Sequence, residues 1–334
     1  LRVLTMGKLR NQFSIIARLL RYYFSNTIEA KRPLVLKLEI SNMCNMNCIM
    51  CERENLQRNP INMEMELFKK IINDAVRNNI EVVGLNRFGE PTLHPQLLEM
   101  AQYAKQKGIK HLSFATNASL LTEHLARGLV ETQCVDEILC SVDGNTAETY
   151  RKIRGNVIEF ENVIKNIERL VRTRNESGYT KPRIYVNTIH MTLTEKQLPE
   201  TLHRWRQIVD GVCIIPLFET GTATRKGLKI RNQFFRGSSF RKKACPYLAY
   251  MMVAYADGGA GVCCGDANGE IIVGNLNNQS LEDVWNGPQM QCVREAHLKN
   301  DFRDLPQCER CDFTLPITYW GRHYLYGWYK ALFS

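Results

Sequence analysis

From residue 34 the chain alternates short apolar runs with longer segments whose apolar positions recur every three or four residues. Residues 34–40, 80–86, 111–116, 136–142, 183–190 and 211–216 read as strands. Residues 64–78, 96–107, 122–131, 157–174 and 195–208 read as the helices between them. Thr194-Glu195-Lys196-Gln197 has the form of a capping box opening the last of these. Strands alternating with helices predict an α/β fold, with a parallel sheet and ligand loops at the C-terminal strand ends.

The pattern changes on either side of this core. Residues 8–24 carry Leu9, Phe13, Ile16, Leu20 and Tyr23 at helical spacing, with Arg10, Ser14, Arg18 and Arg21 off that stripe. Such a basic amphipathic helix either lies on a membrane or packs on the protein's own core. Residues 219–243 are rich in Gly, Thr, Lys and Arg and read as a loop over the strand ends. After Cys245 comes the strand-like run Met251–Ala256, an Asp257-Gly258 hairpin turn, a second strand at 270–273 and a short helix opened by Ser280. The tail from 316 is aromatic and lightly basic, suited to a bilayer interface or to packing on the first helix. The expected divisions are 1–33, 34–218, 219–315 and 316–334.

The 334 residues are 44% hydrophobic and 23% charged, as in a globular protein. No apolar run reaches membrane-span length, and Arg10, Arg18 and Arg21 interrupt any signal-peptide core. The net charge of +10 admits nucleic acid, an anionic membrane or an acidic substrate as partner. No helix-turn-helix, zinc-finger or RNP-like pattern supports nucleic acid. Twelve cysteines, clustered rather than evenly spread, point to metal ligation in a reducing cytoplasm rather than to disulfides.

Chemistry concentrates in Cys44-Asn45-Met46-Asn47-Cys48-Ile49-Met50-Cys51. Three thiols at C-x3-C-x2-C spacing can hold an iron–sulfur cluster or zinc. Three ligands cover three irons of a cubane and leave the fourth open. Further polar groups stand at successive strand ends: Phe88-Gly89-Glu90-Pro91, Thr116-Asn117-Ala118, Ser141-Val142-Asp143-Gly144 and Asn187. Near the C-terminus Cys245, Cys263 or Cys264, Cys308 and Cys311 form a second set of thiols that fits a cluster or zinc.

The first loop and the ordered strand-end motifs resemble the radical S-adenosylmethionine (SAM) superfamily. The resemblance implies a partial (β/α)6 TIM-like barrel. It implies a [4Fe–4S] cluster on Cys44, Cys48 and Cys51, whose open iron takes the amino and carboxylate groups of SAM. Phe88, Gly89, Glu90, Asn117, Ser141, Asp143 and Asn187 would contact SAM. Phe88 and Ala118 depart from the family's G-G-E-P and T-N-G. The C-terminal segment resembles the small α+β SPASM/twitch domain, implying a second [4Fe–4S] cluster on Cys245, Cys263, Cys308 and Cys311. The hairpin spacing makes Cys263 the ligand and leaves Cys264 free. Cys134, Cys140, Cys213 and Cys292 are expected as buried apolar residues. The form with one auxiliary cluster is that of 2-deoxy-scyllo-inosamine dehydrogenase and related sugar- and cyclitol-modifying enzymes.

The activity this implies is hydrogen abstraction from a small polar substrate by a 5′-deoxyadenosyl radical. A flavodoxin or ferredoxin would be the electron donor. Three outcomes fit: oxidation of a secondary alcohol, with Asp266 or Glu219 as candidate base; epimerisation, with Cys264 as hydrogen donor; and peptide maturation. A zinc-binding adaptor on a membrane is the non-enzymatic alternative.

Overall fold

The computed structural model describes residues 28, 30–155, 157–217, 228 and 245–311. The helix expected at 8–24, the loop at 219–243 apart from residue 228, Glu219 within it, and the aromatic tail from 316 lie outside them. Among the described residues no helix is long and apolar enough to cross a membrane.

The core is an open sheet of nine strands among those residues: β1 (Val35–Leu38), β2 (Val82–Gly84), β3 (His111–Thr116), β4 (Glu137–Ser141), β5 (Arg183–His190), β6 (Gly211–Pro216), β7 (Met251–Ala254), β8 (Gly259–Gly261) and β9 (Ile272–Asn275). Their spatial order is β6-β5-β4-β3-β2-β1-β7-β8-β9. β1 to β6 are parallel neighbours in chain order, as the expected partial barrel requires. The C-terminal segment continues the same sheet. β7 pairs in parallel with β1, Leu36 opposite Met252, and β8 and β9 follow antiparallel.

The helices cover one face. α1 (Met65–Arg77) presents Met65, Phe68, Ile71, Ile72 and Ala75, spaced three to four apart, to the sheet. α2 (Leu97–Gln106), α3 (Glu123–Glu131), α4 (Ala147–Arg154), α5 (Phe160–Glu176) and α6 (Leu198–Arg206) follow. Thr122 and Thr146 accept hydrogen bonds from Leu125 N and Thr149 N, which fixes the starts of α3 and α4. In β1, Leu36, Leu38 and, just beyond it, Ile40 are buried against the helices. Strand alternation then turns Lys37 and Glu39 to the inner face.

Two local expectations change. Thr194 does not cap: its Oγ1 donates to the Ile189 carbonyl and accepts from Met191 N, and a 3-10 turn at Glu195–Gln197 precedes α6. The Asp257-Gly258 turn joins β7 to β8, and the strand expected at 270–273 is the third of this unit, β9. α7 (Leu281–Asn286) opens with a capping box of Ser280 and Asp283, and α8 (Pro288–Lys299) and α9 (Pro306–Arg310) complete the segment. Cys134 and Cys140 are buried as expected, whereas Cys213 is half-buried and Cys292 is exposed on α8.

On the inner face the Glu39 carboxylate is fully buried. Arg58 Nη1 and Nη2 donate to its two oxygens at 2.7 and 2.8 Å, and Arg87 Nη1 donates at 3.3 Å. Arg87 Nη2 continues to the Tyr255 hydroxyl at 3.0 Å and to the Cys263 and Asp266 carbonyls. Both guanidinium groups also lie over the Tyr255 ring. Glu39→Gln leaves two buried cations without a counter-charge and is expected to cost about 3–5 kcal/mol in urea unfolding of the cluster-free protein. Glu66→Gln, which breaks an exposed pair with Lys69, should stay within about 0.5 kcal/mol. Equal small losses would show that Glu39 is dispensable.

Candidate functional site

The first thiol loop hangs from the end of β1. The Asn42 side chain donates to the Asn59 carbonyl and accepts from Ile61 N, and Ser41 bridges to Asn62. Met46 and Met50 turn into the core, and Cys44, Cys48 and Cys51 stay half-buried at its edge. Ile49 N donates to the Ile153 carbonyl at the end of α4. Arg154 Nη1 stands 3.6 Å from Cys48 Sγ, and Asn117 Nδ2 stands 4.0 Å from Cys44 Sγ. Burial raises the Cys44 and Cys51 thiols, and Cys48 adds to the rise at both. Three soft donors thus stand on one loop with side-chain N–H groups at two of their sulfurs, a donor set that fits an iron–sulfur cluster. Among the described residues no three His, Cys, Asp or Glu groups close around a single metal ion. A cluster, larger than an ion, holds its thiolates further apart.

The strand-end motifs meet above this loop. A Cβ at Gly89 would collide with the Ser41 carbonyl, so the backbone before Glu90 passes directly against the end of β1. Glu90 N donates to the Met43 carbonyl at 2.7 Å. The Glu90 carboxylate, 3% exposed, accepts four hydrogen bonds: from Thr92 N, Thr92 Oγ1, Thr116 Oγ1 and Asn117 N. It binds the β2 loop to the end of β3. Asn117 Nδ2 donates to Asn45 Oδ1 at 2.8 Å, and Asn45 donates to Ser119 Oγ at 2.9 Å. Ala118 holds φ +61°, a left-handed conformation that favours glycine.

Ser141 Oγ donates to Asn187 Oδ1 at 3.1 Å across paired strands. Asp143 is fully buried. Its Oδ1 accepts from Ile189 N at 2.6 Å, and Arg154 Nη2 lies 2.5 Å from Oδ2. Arg154 thereby joins this carboxylate to the Cys48 sulfur. Burial works against its charge, but Asp143 and Cys48 outweigh it and hold the guanidinium above its usual range. Phe88 stacks under the Arg87 guanidinium, 4.8 Å from its ring centre.

The second thiol set lies past the other edge of β1. Burial raises Cys245 well above the ordinary thiol range, with Cys311, Cys308 and Cys264 adding. Cys263 is raised likewise, with Cys264, Cys245 and Cys311 adding. Gly265 N donates to Cys263 Sγ at 3.2 Å. α9 carries Cys308 and ends at Cys311. Five thiols therefore converge. Cys264 differs from the rest: it has open surface, yet burial still raises its thiol while Tyr247, Lys37 and Arg87 pull it back. Asp266, a candidate base from sequence, is committed elsewhere. Its carboxylate accepts from Glu270 N and Ile271 N at 2.9 Å and from the Tyr255 hydroxyl.

The Radical SAM superfamily profile matches residues 38–204, half of the chain. The chain belongs to the radical SAM superfamily. An iron–sulfur cluster-binding SPASM domain profile matches residues 245–312. The cofactors of this radical SAM protein are accordingly SAM and a [4Fe–4S] cluster, with further iron–sulfur binding in the SPASM domain. The tungsten-containing aldehyde ferredoxin oxidoreductase cofactor-modifying protein of Pyrococcus furiosus is 32% identical over 166 residues, 49% of this chain and 46% of that protein. The mycofactocin maturase of Mycobacterium tuberculosis is 32% identical over 123 residues, 37% and 31% of the two chains. The chain thus spans less than half the length of these curated relatives. Among solved structures, BtrN in complex with AdoMet and 2-DOIA aligns with TM-score 0.57 at 14% identity, covering 85% of this chain and 94% of that one. Streptococcus suis SuiB bound to precursor peptide SuiA aligns with TM-score 0.64 at 16% identity, covering 88% and 73%. At such identities these two share the fold.

The sequence reading missed Glu39, Arg58 and Arg87 in this radical SAM protein. A lone Glu inside an apolar strand was the available signal, since burial obliges it to find a cation. Burial raises the Glu90 carboxyl above the usual carboxylate range. A raised pKa contributes stability that is present below the unfolded value, about 4.3, and is lost as pH rises through the folded one. The wild type should therefore lose stability relative to Glu90→Gln as pH rises, by about 1.4 kcal/mol per unit of elevation. Urea midpoints of both proteins across pH measure this. A wild type that instead gains stability relative to Glu90→Gln as pH rises would mean that the four donors outweigh desolvation.

Proposed function

We propose that this radical SAM protein oxidises a secondary alcohol of a small polar substrate such as a sugar, aminocyclitol or glycoconjugate. When bound, SAM and the clusters supply a hydrogen-abstracting 5′-deoxyadenosyl radical and an acceptor for the electron that leaves the substrate. Cys44, Cys48 and Cys51 hold the first cluster. The backbone at Phe88 and Gly89, with Asn117, Ser141 and Asn187, faces SAM, while Glu90 and Asp143 position those loops from beneath. Cys245, Cys263, Cys308 and Cys311 hold the second cluster. The observation that carries this reading is the second thiol set. Four cysteines besides Cys264 converge there, enough to ligate a cluster fully and leave it an electron acceptor rather than a substrate site. The fold shared with BtrN in its 2-DOIA complex agrees with a cyclitol-like substrate. A flavodoxin or ferredoxin is the electron donor in this reading, and residues 8–24 offer a peripheral membrane contact.

Anaerobic reconstitution is expected to load about eight irons and eight sulfides per chain. Replacing Cys44, Cys48 and Cys51 together by Ala should halve that and abolish 5′-deoxyadenosine formation. A wild-type protein saturating at four irons would remove the electron acceptor.

A second reading, epimerisation, rests on the open position of Cys264, where a thiol can return a hydrogen atom. Under it, Cys264→Ala should still consume SAM but make no epimer, and the wild-type product should take up one solvent deuterium at carbon. Under oxidation, the variant should keep most activity, and the product should be two mass units lighter than substrate with no such deuterium. Loss of iron from Cys264→Ala would instead put Cys264 on the metal. Processing of a peptide, the alternative that the fold shared with SuiB in its precursor-peptide complex agrees with, would appear as activity on a peptide and none on sugars or cyclitols.

A further inference from the structure

Three cations stand on the inner face where the barrel strands meet the SPASM segment, and they are not equally partnered. Arg58 and Arg87 share Glu39. Lys37 has no such carboxylate. It lies in β1 between Leu36 and Leu38, whose side chains are buried on the opposite side. Its register partners are Gly84 in β2 and Val253 in β7, neither of which offers an acceptor. The ammonium folds over Gly84: a Cβ on that glycine would stand 2.6 Å from Lys37 Nζ. Any larger residue there would push the amine away, so the bare strand forms its floor.

Among the described residues Lys37 Nζ makes no hydrogen bond and no ion pair, and its electrostatic neighbour is the Cys264 thiol. Burial draws the amine below its ordinary range. The carboxylates of Glu39 and Asp266 are engaged elsewhere, Glu39 by two guanidinium groups and Asp266 by two backbone N–H groups and Tyr255. An ammonium has three donors and no acceptor. Holding it half-buried with no partner among the described residues costs free energy that an incoming acceptor would recover.

We infer that Lys37 anchors an anionic group of the substrate, a carboxylate or a phosphate, inside the barrel beside Cys264. This rests on the radical SAM substrate reading above and narrows it: the sugar or cyclitol carries an acid group. The anchor holds the substrate by one end, on the Cys264 side of β1. The first thiol loop follows that same strand, so β1 both carries the anchor and leads into the loop that would hold the first cluster. Lys37 is a specificity residue, and the hydrogen-transfer chemistry does not pass through it.

The test uses the full chain, reconstituted with both clusters and labelled briefly with acetic anhydride. Acylation of Lys37 is read by peptide mass spectrometry, with Lys152 and Lys299, both exposed, as internal controls. Inorganic phosphate, malonate and neutral myo-inositol are added in separate arms. An anion present at about four times its Kd should slow labelling of Lys37 about fivefold and leave the controls unchanged, with no effect of inositol. Protection by phosphate alone assigns a phosphorylated substrate, and protection by malonate alone a carboxylated one. Equal labelling in every arm overturns the proposal. Labelling that no anion slows but that rises in Cys264→Ser also overturns it, and gives Lys37 the thiol as partner. SAM cleavage is measured on the same preparation. Cleavage without protection sinks the anchor alone, whereas protection without cleavage sinks the radical reading and leaves the anion site standing.

Discussion

The Glu39 carboxylate binds together four stretches of chain that are far apart in sequence. It sits at the end of β1, receives Arg58 from beyond the first thiol loop and Arg87 from the β2 loop, and through Arg87 reaches Cys263 and Asp266. Arg58 Nε adds a bond to the Ala267 carbonyl, and Gln57 N one to the Asn268 side chain. A buried ion pair is weak evidence for stability, since desolvation offsets much of the attraction. Its worth here is geometric. Arg87 directly precedes Phe88-Gly89-Glu90 and donates to the carbonyl of Cys263, so the loop after β2 and the second thiol set share one rigid guanidinium. A planar fork with five donors suits that task, whereas a lysine could not reach all the partners at once.

The same economy appears among the strand-end carboxylates. Resemblance to the family placed Glu90 and Asp143 against SAM. In the structure their side chains also act as struts, Glu90 across the ends of β2 and β3 and Asp143 between Arg154 and β5. Four donors converge on Glu90 and leave its carboxylate almost no free surface. What these carboxylates fix is the backbone and the amide side chains around them: Asn117 beside Cys44, Asn45 beside Ser119, Ser141 beside Asn187. A site assembled from loop backbone needs such supports, because a loop has no ladder of its own to set its geometry.

Much of the fold was legible because the strands keep period two and the helices period 3.6. β3, β5 and β6 fall on their expected spans. What escaped lacks that contrast. β8 reads Gly-Ala-Gly, with no side chain large enough to signal a strand, and forms because β7 and β9 flank it. α8 has Pro288 at its start after Gly287, a recognisable opening, but its buried face includes Arg294 and His297, so no apolar stripe shows. Cys292 falls on the exposed side of that helix. Thr194 had the form of a cap, yet it spends its hydroxyl on Ile189 and Met191 in the turn before the helix. The spacing of the thiols was visible in sequence; which cations reach them was not, because Arg87, Arg154 and Lys37 become neighbours only through strand pairing.

Burial also shapes the chemistry of the thiols themselves. Cys44, Cys51, Cys245 and Cys263 are all pushed up by desolvation, and neighbouring thiols add to it, since one thiolate disfavours the next. Without a cluster these groups are held as neutral thiols in apolar surroundings, which makes them poor nucleophiles. A metal centre reverses the balance, because its positive charge deprotonates coordinating thiols outright. The cations placed beside the sulfurs, Arg154 at Cys48 and Arg87 behind Cys263, are too few to hold several thiolates alone. They suit an assembly whose cluster irons carry most of the compensating charge and whose residual negative charge one nearby guanidinium can meet. Lys37 stands outside both thiol sets, an inner-face cation with no carboxylate partner among the described residues.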